Sequence, residues 1–319
     1  MKYLHVGLGK TGTTFLQNEV FPQITRILNL NYIEKKDFFQ ILLPTNNKLK
    51  KIIHSYNFIN FDNHKFNEKE YFLSVENLCG KFFNPLFWKK SAKINKKIFG
   101  KDTTIIITLS EPLDFMSSIY CHSIQAYFFQ KEKDFFLNHV NSLKFLKNKK
   151  KYNFLDLELF DFKYLIKLYL DNFDKVIIIK KEDIKNKDVL SKIFNEPIIK
   201  NIFFSNKIYN KSYSNVSIKL SFLIEKFLNL FKLSLSKTDT FARSLNKLLI
   251  SNKFLKKFFN KLSIELRWRF FIQNRFDRMF SFKKYYVSEK KVLDHIQKDI
   301  IFYRKLKSGY ITNDYLNKI

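Results

Sequence analysis

A glycine-rich turn near the start of the chain constrains its fold more than any other feature. Residues 3–6 form an apolar run that predicts a β-strand, residues 7–14 read Gly-Leu-Gly-Lys-Thr-Gly-Thr-Thr, and a helix is predicted from residue 15. Glycines allow successive backbone N–H groups to converge on an anion, and the start of the following helix adds partial positive charge. The segment therefore predicts a phosphate-binding loop at the end of a strand.

The lysine of this loop is not where a nucleotide-triphosphate loop requires it. A Walker A loop has Lys and then Ser or Thr directly after its last glycine, whereas Gly12 is followed by Thr13, and Lys10 comes two residues earlier. The order Lys-Thr-Gly-Thr-Thr at residues 10–14 resembles the 5′-phosphosulfate loop of sulfotransferases that use 3′-phosphoadenosine 5′-phosphosulfate (PAPS), in their bacterial, carbohydrate-type branch. The resemblance implies PAPS as the co-substrate. The residues that it assigns to PAPS binding in this loop are Gly9, Lys10, Thr11, Gly12, Thr13 and Thr14.

A second cofactor element of that family is matched only in part. In the family, a strand ends in Arg, with Pro two residues later, Ser eight residues later and Tyr shortly after. Here the predicted strand 104–109 is followed by Pro112, Ser118 and Tyr120 at those positions, but Ser110 stands where the arginine is expected. The resemblance assigns Ser110 and Ser118 to the cofactor.

The serine at position 110 changes what this element can do. An arginine gives bidentate, charge-assisted contacts to a phosphate, whereas a serine hydroxyl offers one neutral donor. Two interpretations stay open: another cation substitutes, or the protein is a degenerate member of the family. Candidates for a substitute cation are Lys207, Lys211 and Arg275.

Two later segments extend the resemblance. Residues 175–184 are similar to the family's late strand, with Lys181 where tyrosine is usual, and residues 210–214 resemble the Asn-x-Ser element that follows in bacterial members. Taken in order, the matching pieces cover roughly residues 2–215, which defines a sulfotransferase-like α/β domain over residues 1–215. The remainder, residues 216–319, carries no assignable motif.

Sulfuryl transfer to a hydroxyl also requires a general base, and two glutamates are candidates. Glu76 directly follows the predicted strand 71–75, at the edge where parallel sheets place their ligands, and Ser74 and Glu76 are similar to the Ser-x-Glu of bacterial members. Glu34 follows the second predicted strand and is the alternative, because some relatives draw a catalytic glutamate from a similar distance after the loop. Lys10 is expected to stabilise charge on the leaving phosphate oxygen.

The alternation of segments predicts an α/β fold, with a P-loop-type parallel sheet flanked by helices. Short apolar runs recur at residues 3–6, 26–30, 71–75, 103–109 and 175–179, separated by longer amphipathic stretches. After about residue 215, Leu and Phe recur at three- and four-residue steps, which predicts a helical C-terminal extension over residues 216–319 packed on the first domain.

The composition limits the partners less than the charge suggests. A net charge of +29 favours a polyanionic partner, but the excess is in Lys, and the heavy use of Lys, Asn, Ile and Phe is typical of an AT-rich bacterial genome. No nucleic-acid module accompanies the charge, so no nucleic-acid partner is predicted. The basic C-terminal helices leave peripheral membrane contact open.

Other classes of protein receive no support. The two cysteines and six histidines show no metal-ligand spacing, so no metal is expected. The N-terminus lacks the pattern of a signal peptide, and no uncharged 18-residue span is present, so a cytoplasmic protein is predicted. The expected acceptor is a hydroxyl of a glycan or small molecule. The alternatives are a P-loop kinase or nucleotide hydrolase, and a catalytically degenerate relative that binds acidic glycan or a membrane surface.

Overall fold

The computed structural model describes residues 1–33, 38, 70–80, 85–147, 154–205, 213–230, 277 and 282–319. Within these ranges, strands form one large sheet and one small sheet. The large sheet contains β1 Lys2–His5, β2 Asn31–Ile33, β3 Tyr71–Ser74, β4 Thr104–Leu109, β7 Val176–Lys180 and β8 Gly309–Ile311. The small sheet pairs β5 Phe136–Leu137 with β6 Leu155–Asp156.

Helices connect the strands. They are α1 Thr13–Phe15, α2 Phe21–Ile27, α3 Trp88–Phe99, α4 Pro112–Gln125, α5 Glu132–Phe135, α6 His139–Lys147, α7 Phe162–Leu170, α8 Lys187–Phe194, α9 Asn215–Leu230, α10 Lys290–Lys305 and α11 Asn313–Lys318. A π-helical turn, Leu16–Val20, joins α1 to α2, so residues 13–27 are helical without a break. Short 3-10 turns are formed by Glu76–Cys79, Pro85–Phe87, Lys181–Asp183 and Pro197–Asn201.

The order of strands in the large sheet is β2-β3-β1-β4-β7-β8, and the first five strands are parallel. Their carboxyl ends therefore meet at one edge, where ligands of open α/β sheets bind. The central strands β4 and β7 each contain three successive buried isoleucines and are buried along almost their whole length, as expected for strands covered on both faces. The sequence prediction of an α/β fold with a mainly parallel sheet is confirmed.

One strand comes from a part of the chain where only helices were predicted. Strand β8 runs antiparallel to β7, with Val176 opposite Ile311. The preceding helix α10 packs on α7, where the Asp299 carboxylate accepts the backbone N–H of Phe162 at 2.8 Å. The last thirty residues therefore belong to the sheet-containing part of the molecule.

The chain divides into two compact units, each made of separate segments. The first unit contains Met1–Phe115, Phe136–Tyr209 and Lys290–Ile319, and the second contains Met116–Phe135 and Asn210–Glu289. The boundary at residue 215 that the sequence analysis predicted stays a prediction. Helix α4 contributes its first turn to the first unit and its remainder to the second.

The core of the first unit holds the segment after the glycine turn against the sheet. Phe15, Phe21 and Phe72 are buried in one apolar cluster with residues of β4, β7 and α8, and the rings of Phe21 and Phe72 lie 4.6 Å apart between centroids. Burial of each such side chain contributes about 1.5–3 kcal/mol. The helix that leaves the turn is thereby fixed relative to the carboxyl edge of the strands.

Candidate functional site

The predicted phosphate loop lies at the carboxyl end of β1. Its backbone has positive φ at Lys10 (68°) and at Gly12 (90°), a conformation that is uncommon for a residue other than glycine. The N–H groups of Phe15 and Leu16 donate to the carbonyl of Gly12 at 3.0 and 3.2 Å, which begins the helix directly after the turn. The strand, turn and helix predicted from the sequence are therefore present in that order.

Two glycines of the loop occupy positions where a side chain has no room. A Cβ on Gly7 would overlap His5 Nε2 and Thr108 Oγ1, and a Cβ on Gly12 would lie 2.6 Å from Ile184 Cδ1. Gly12 also needs its positive φ, which L-residues adopt at a cost of about 1–2 kcal/mol. These glycines let the loop lie close against β4 and the segment after β7.

A network of buried polar side chains supports the loop on the side that faces the sheet. The Thr11 hydroxyl donates to the carbonyl of Leu8 and lies 2.7 Å from Thr108 Oγ1. His5 Nε2 lies 3.3 Å from the same Thr108 oxygen, and His5 Nδ1 lies 2.6 Å from Ser74 Oγ. Complete burial lowers the pKa of His5 to about 3, so the ring is neutral at physiological pH. The network joins the ends of β1, β3 and β4 to the loop.

Glu76 is brought into contact with this loop. It opens the 3-10 turn after β3, and its carboxylate accepts a hydrogen bond from the Thr13 hydroxyl. The side-chain amide of Gln17 donates to Ser74 Oγ at 3.0 Å and thereby ties the helix after the loop to the end of β3. A half-buried carboxylate thus lies beside the hydroxyl-rich end of a predicted anion-binding turn, where a proton acceptor and an anion site would be adjacent.

Ser110 lies at the end of β4, 1% exposed, and its hydroxyl has no hydrogen-bond partner within the described ranges. Immediately after it, the Glu111 carboxylate accepts the N–H of Asp114 at 3.0 Å and so caps the start of α4. Ser118 is buried in the part of α4 that belongs to the second unit. The residue after Ser110 is therefore a helix-capping carboxylate, and the cofactor role of both serines stays a prediction.

The remaining predicted residues fall into two groups. Lys10 and Thr14 are half-buried in the loop, whereas the Thr11 hydroxyl is occupied by Leu8 and Thr108 and so braces the loop from inside. Four residues lie outside the described ranges, namely Glu34, Lys207, Lys211 and Arg275. The choice between Glu76 and Glu34 as the base therefore stays a prediction.

Sequence reasoning missed the support network and one cation. His5 was read only as a strand residue and Thr108 only as part of a β-branched run, although both line the loop. Lys181, noted as a departure from tyrosine, lies with its Nζ 3.8 Å from Asp114 Oδ2. Finding these contacts requires the order of the strands, for which the sequence offers no local signal.

The loop residues fit the 5′-phosphosulfate end of PAPS. Gly12 at positive φ begins the helix after the turn and Lys10 is half-buried in the same turn, an arrangement typical of anion-binding loops, whereas the Thr13 hydroxyl donates to Glu76. The end of β4 fits a 3′-phosphate less well, because buried Ser110 and capping Glu111 provide no positive charge there. Among the described residues, no group of three His, Cys, Asp or Glu side chains is arranged to hold a metal ion.

Comparisons with known proteins add little to this geometry. No family model matches the chain, and no curated protein matches it. Among solved structures, the chain is similar to the crystal structure of a sulfotransferase from Alicyclobacillus acidocaldarius. The match covers 69% of this chain and 90% of the sulfotransferase chain, with a TM-score of 0.36 and 14% sequence identity. A likeness at this level carries no argument. Within the described ranges, no helix is both long enough and apolar enough to cross a membrane.

Proposed function

We propose that this chain is a sulfotransferase that moves a sulfuryl group from PAPS to a hydroxyl of a carbohydrate acceptor. One observation carries the proposal: the Glu76 carboxylate accepts a hydrogen bond from the Thr13 hydroxyl. The predicted base and the predicted phosphosulfate loop therefore form one cluster. The two were predicted from separate parts of the sequence. Their contact supports a common site at the carboxyl edge of the sheet.

The chemistry assigns a role to each member of this cluster. PAPS supplies a sulfuryl group bonded to a phosphate oxygen that can leave. Glu76 takes the proton of the acceptor hydroxyl as its oxygen bonds to sulfur, and Lys10 offsets the charge that develops on the departing phosphate oxygen. The sulfur–oxygen bond to the phosphate breaks, which yields a sulfate ester and 3′-phosphoadenosine 5′-phosphate (PAP).

The side chain of Thr13 serves the site in the same scheme by orienting the base. Its hydroxyl donates to one Glu76 oxygen and so fixes the carboxylate beside the loop. A positioned base contributes about 10²–10⁴-fold to the rate of a proton-transfer step. The net charge of +29 is compatible with an acidic glycan as acceptor, since opposite charge raises association rates.

A catalytically degenerate relative that binds acidic glycan or an anionic membrane is the second candidate. Ser110 favours it, since this buried residue replaces an arginine and stands beside Glu111. A P-loop kinase or nucleotide hydrolase is the third, and the position of Lys10 before Gly12 speaks against it. Salt-sensitive vesicle binding without any nucleotide effect would favour the second candidate, and magnesium-dependent turnover of ATP or GTP the third.

Calorimetric titration with PAP, AMP and ATP tests the proposal. We expect the wild type to bind PAP with Kd of about 10 μM or tighter, to prefer it to AMP and ATP, and to lose this binding in Lys10→Met. Lys2→Met is the matched control, because Lys2 lies at the other end of β1 and pairs with Asp102 at 3.0 Å. Absence of PAP binding in the wild type would contradict the proposal.

If PAP binds, an acceptor screen follows. Purified protein, PAPS and a panel of neutral and acidic glycans are incubated, and PAP release is measured. Acceptor-dependent release that Glu76→Gln abolishes is the expected result. Binding of PAP without release for any acceptor would transfer support to the degenerate, glycan-binding candidate.

A further inference from the structure

A lysine directly follows the strand that pairs with β4. In the parallel ladder of β4 and β7, the last paired residues are Leu109 and Lys180. Ser110 follows Leu109, and Lys181 follows Lys180 and opens a 3-10 turn. The two neighbouring strands are therefore continued by Ser110 and by a cation.

The stem of Lys181 runs along the phosphate loop. A Cβ on Gly12 would lie 3.9 Å from Lys181 Cγ, and the adjacent Ile184 approaches the same glycine more closely. The head of Lys181 lies 3.8 Å from Asp114 Oδ2, in the first turn of α4. One side chain thus spans the distance between the glycine loop and the segment that begins at Ser110.

The geometry of this lysine suits an anion at the same place. The Lys181 ammonium pairs with the Asp114 carboxylate at 3.8 Å, and an ammonium group has three donors. The side chain is 35% exposed, so solvent and a ligand can reach it. Asp114 thus holds the ammonium at the first turn of α4.

Other lysines near the end of β7 are directed elsewhere. Lys180 Nζ lies 3.0 Å from Glu182 Oε1 and 4.4 Å from the centre of the Tyr303 ring. Lys185 lies over the ring of Phe15, 5.1 Å from its centre. Lys181, by contrast, lies beside both Gly12 and the first turn of α4.

The charges around Ser110 make such a cation necessary for a second phosphate. Ser110 offers one buried hydroxyl, and the carboxylates of Glu111 and Asp114 both lie at the start of α4. A phosphate bound at this edge needs a positive group to offset these carboxylates, and Lys181 contacts both Asp114 and the Gly12 position of the loop. A lysine acts as a point charge on phosphate where an arginine would act as a bidentate fork.

We infer that Lys181 is the specificity-determining cation that binds the 3′-phosphate of the nucleotide in place of the arginine absent at position 110. The inference rests on the proposed function, since it concerns the same nucleotide. It replaces Lys207, Lys211 and Arg275 as the first candidate for this role. Relative to the family pattern that the sequence resembles, the residue after β4 has lost a positive charge at Ser110 and the residue after β7 has gained one at Lys181.

The test compares affinities for PAP and AMP, which differ in the 3′-phosphate. In Lys181→Met we expect PAP binding to weaken about 10- to 100-fold, which corresponds to about 1.4–2.7 kcal/mol. AMP binding should change less than about 2-fold, because the 5′-phosphate is bound by the loop. Lys187→Met, a lysine stacked 5.6 Å from the Phe204 ring, is the matched control and should keep the preference for PAP.

Two further variants separate the charge from the fold. Lys181→Arg keeps the charge and should retain most of the preference for PAP. Asp114→Asn removes the ion pair but leaves the lysine, so it should retain or strengthen PAP binding. A loss of the preference in Asp114→Asn would overturn the inference, because Lys181 would then act only through its pairing with Asp114.

The remaining outcomes distinguish the inference from the proposed function. If the wild type prefers PAP and Lys181→Met keeps that preference, the inference is wrong and the proposed function stands. If the wild type binds AMP and PAP equally, the 3′-phosphate is not recognised, and both PAPS specificity and the role of Lys181 are overturned. Melting curves of each variant verify that a changed affinity belongs to a folded protein.

Discussion

The hydroxyl oxygens of Thr11 and Thr108 lie 2.7 Å apart, which ties the middle of the glycine loop to the carboxyl end of β4. Thr108 also lies 3.3 Å from His5 Nε2, so one buried hydroxyl links the loop to two strands. Buried polar groups of this kind are costly to leave unpaired, at about 1–3 kcal/mol each. The shape of the loop therefore depends on a residue nearly a hundred positions away in the sequence.

Thr108→Val is expected to weaken PAP binding about 3- to 10-fold, because it removes hydrogen bonds worth about 0.5–1.5 kcal/mol each from the support of the loop. Thr103→Val is the matched control: Thr103 is also buried and bonds the carbonyl of Phe99 at 2.6 Å, but it precedes the amino end of β4. It should lower the melting temperature without changing affinity. Hydrogen exchange of the loop amides should quicken in Thr108→Val alone. Equal effects of both variants on affinity would contradict this role of Thr108.

Gly12→Ala is expected to abolish detectable PAP binding, since the new Cβ meets Ile184 Cδ1 at 2.6 Å and the residue must keep φ of 90°. Gly309→Ala is a suitable control, because Gly309 also has positive φ but nothing lies within 4 Å of its Cβ position. Both variants should be destabilised by about 1–2 kcal/mol or more. Calorimetry on folded protein should show lost affinity for Gly12→Ala only, and retained affinity there would argue against the loop as the binding site.

Glu76→Gln is expected to lower the rate of PAP release about 10²- to 10⁴-fold while the Kd for PAP changes little, as removal of a base requires. Glu70→Gln provides the comparison. Glu70 directly precedes β3, whereas Glu76 follows it, and the Glu70 carboxylate accepts the N-terminal amine at 2.5 Å. Steady-state rates with a saturating acceptor measure the effect. If Glu76→Gln retains full activity, Glu34→Gln is the variant to examine next.

The folded-state pKa of Asp299 predicts a pH dependence of stability. Asp299 is 2% exposed, and burial is the main cause that raises its pKa to about 7. The hydrogen bond from the Phe162 N–H and the charge of Lys298 lower this pKa, and the charge of Asp161 raises it. The unfolded side chain has a pKa of about 3.9. The contribution of Asp299 to the free energy of unfolding is therefore fully present below about pH 4. It is lost as the pH rises to about 7, by about 1.4 kcal/mol per pH unit.

Asp299→Asn, a neutral isostere, should remove this loss. The difference in unfolding free energy between variant and wild type should increase from about pH 4 to about pH 7, by a total on the order of 2–4 kcal/mol, and stay constant above. Asp294→Asn, at an exposed position of α10, serves as control and should show no such trend. Urea unfolding at a series of pH values measures both, and a flat difference for Asp299→Asn would refute the expectation.

The parts of the site that lie close in sequence were predictable, and those that depend on strand order were not. The loop follows β1 directly, and Glu76 follows β3 directly, so each could be placed at the carboxyl edge by the rule for parallel sheets. No single segment of the sequence indicates that β1 lies between β3 and β4. The network of His5, Ser74 and Thr108 was therefore not predicted.

The same reasoning explains the differences elsewhere in the chain. Ser110 and Lys181 follow neighbouring strands at the same level only because β4 pairs with β7 in one register, with Leu109 opposite Lys180. Strand β8 is three residues long, which is too short to show an alternating pattern of apolar and polar residues. It lies between helices α10 and α11, in a region where only helices were predicted. The apolar periodicity of residues 215–230 was sufficient to predict helix α9.

The pairing of β8 with β7 has a consequence for how the protein is made. A ribosome synthesises the chain from its N-terminus, and Val176 to Ile178 emerge long before Gly309 to Ile311, which pair with them. During that interval the outer side of β7 is an open row of N–H and C=O groups in an Ile-rich strand, a template for pairing with other chains. Until its last strand has been translated, the nascent protein therefore presents an edge that is open to pairing with other chains.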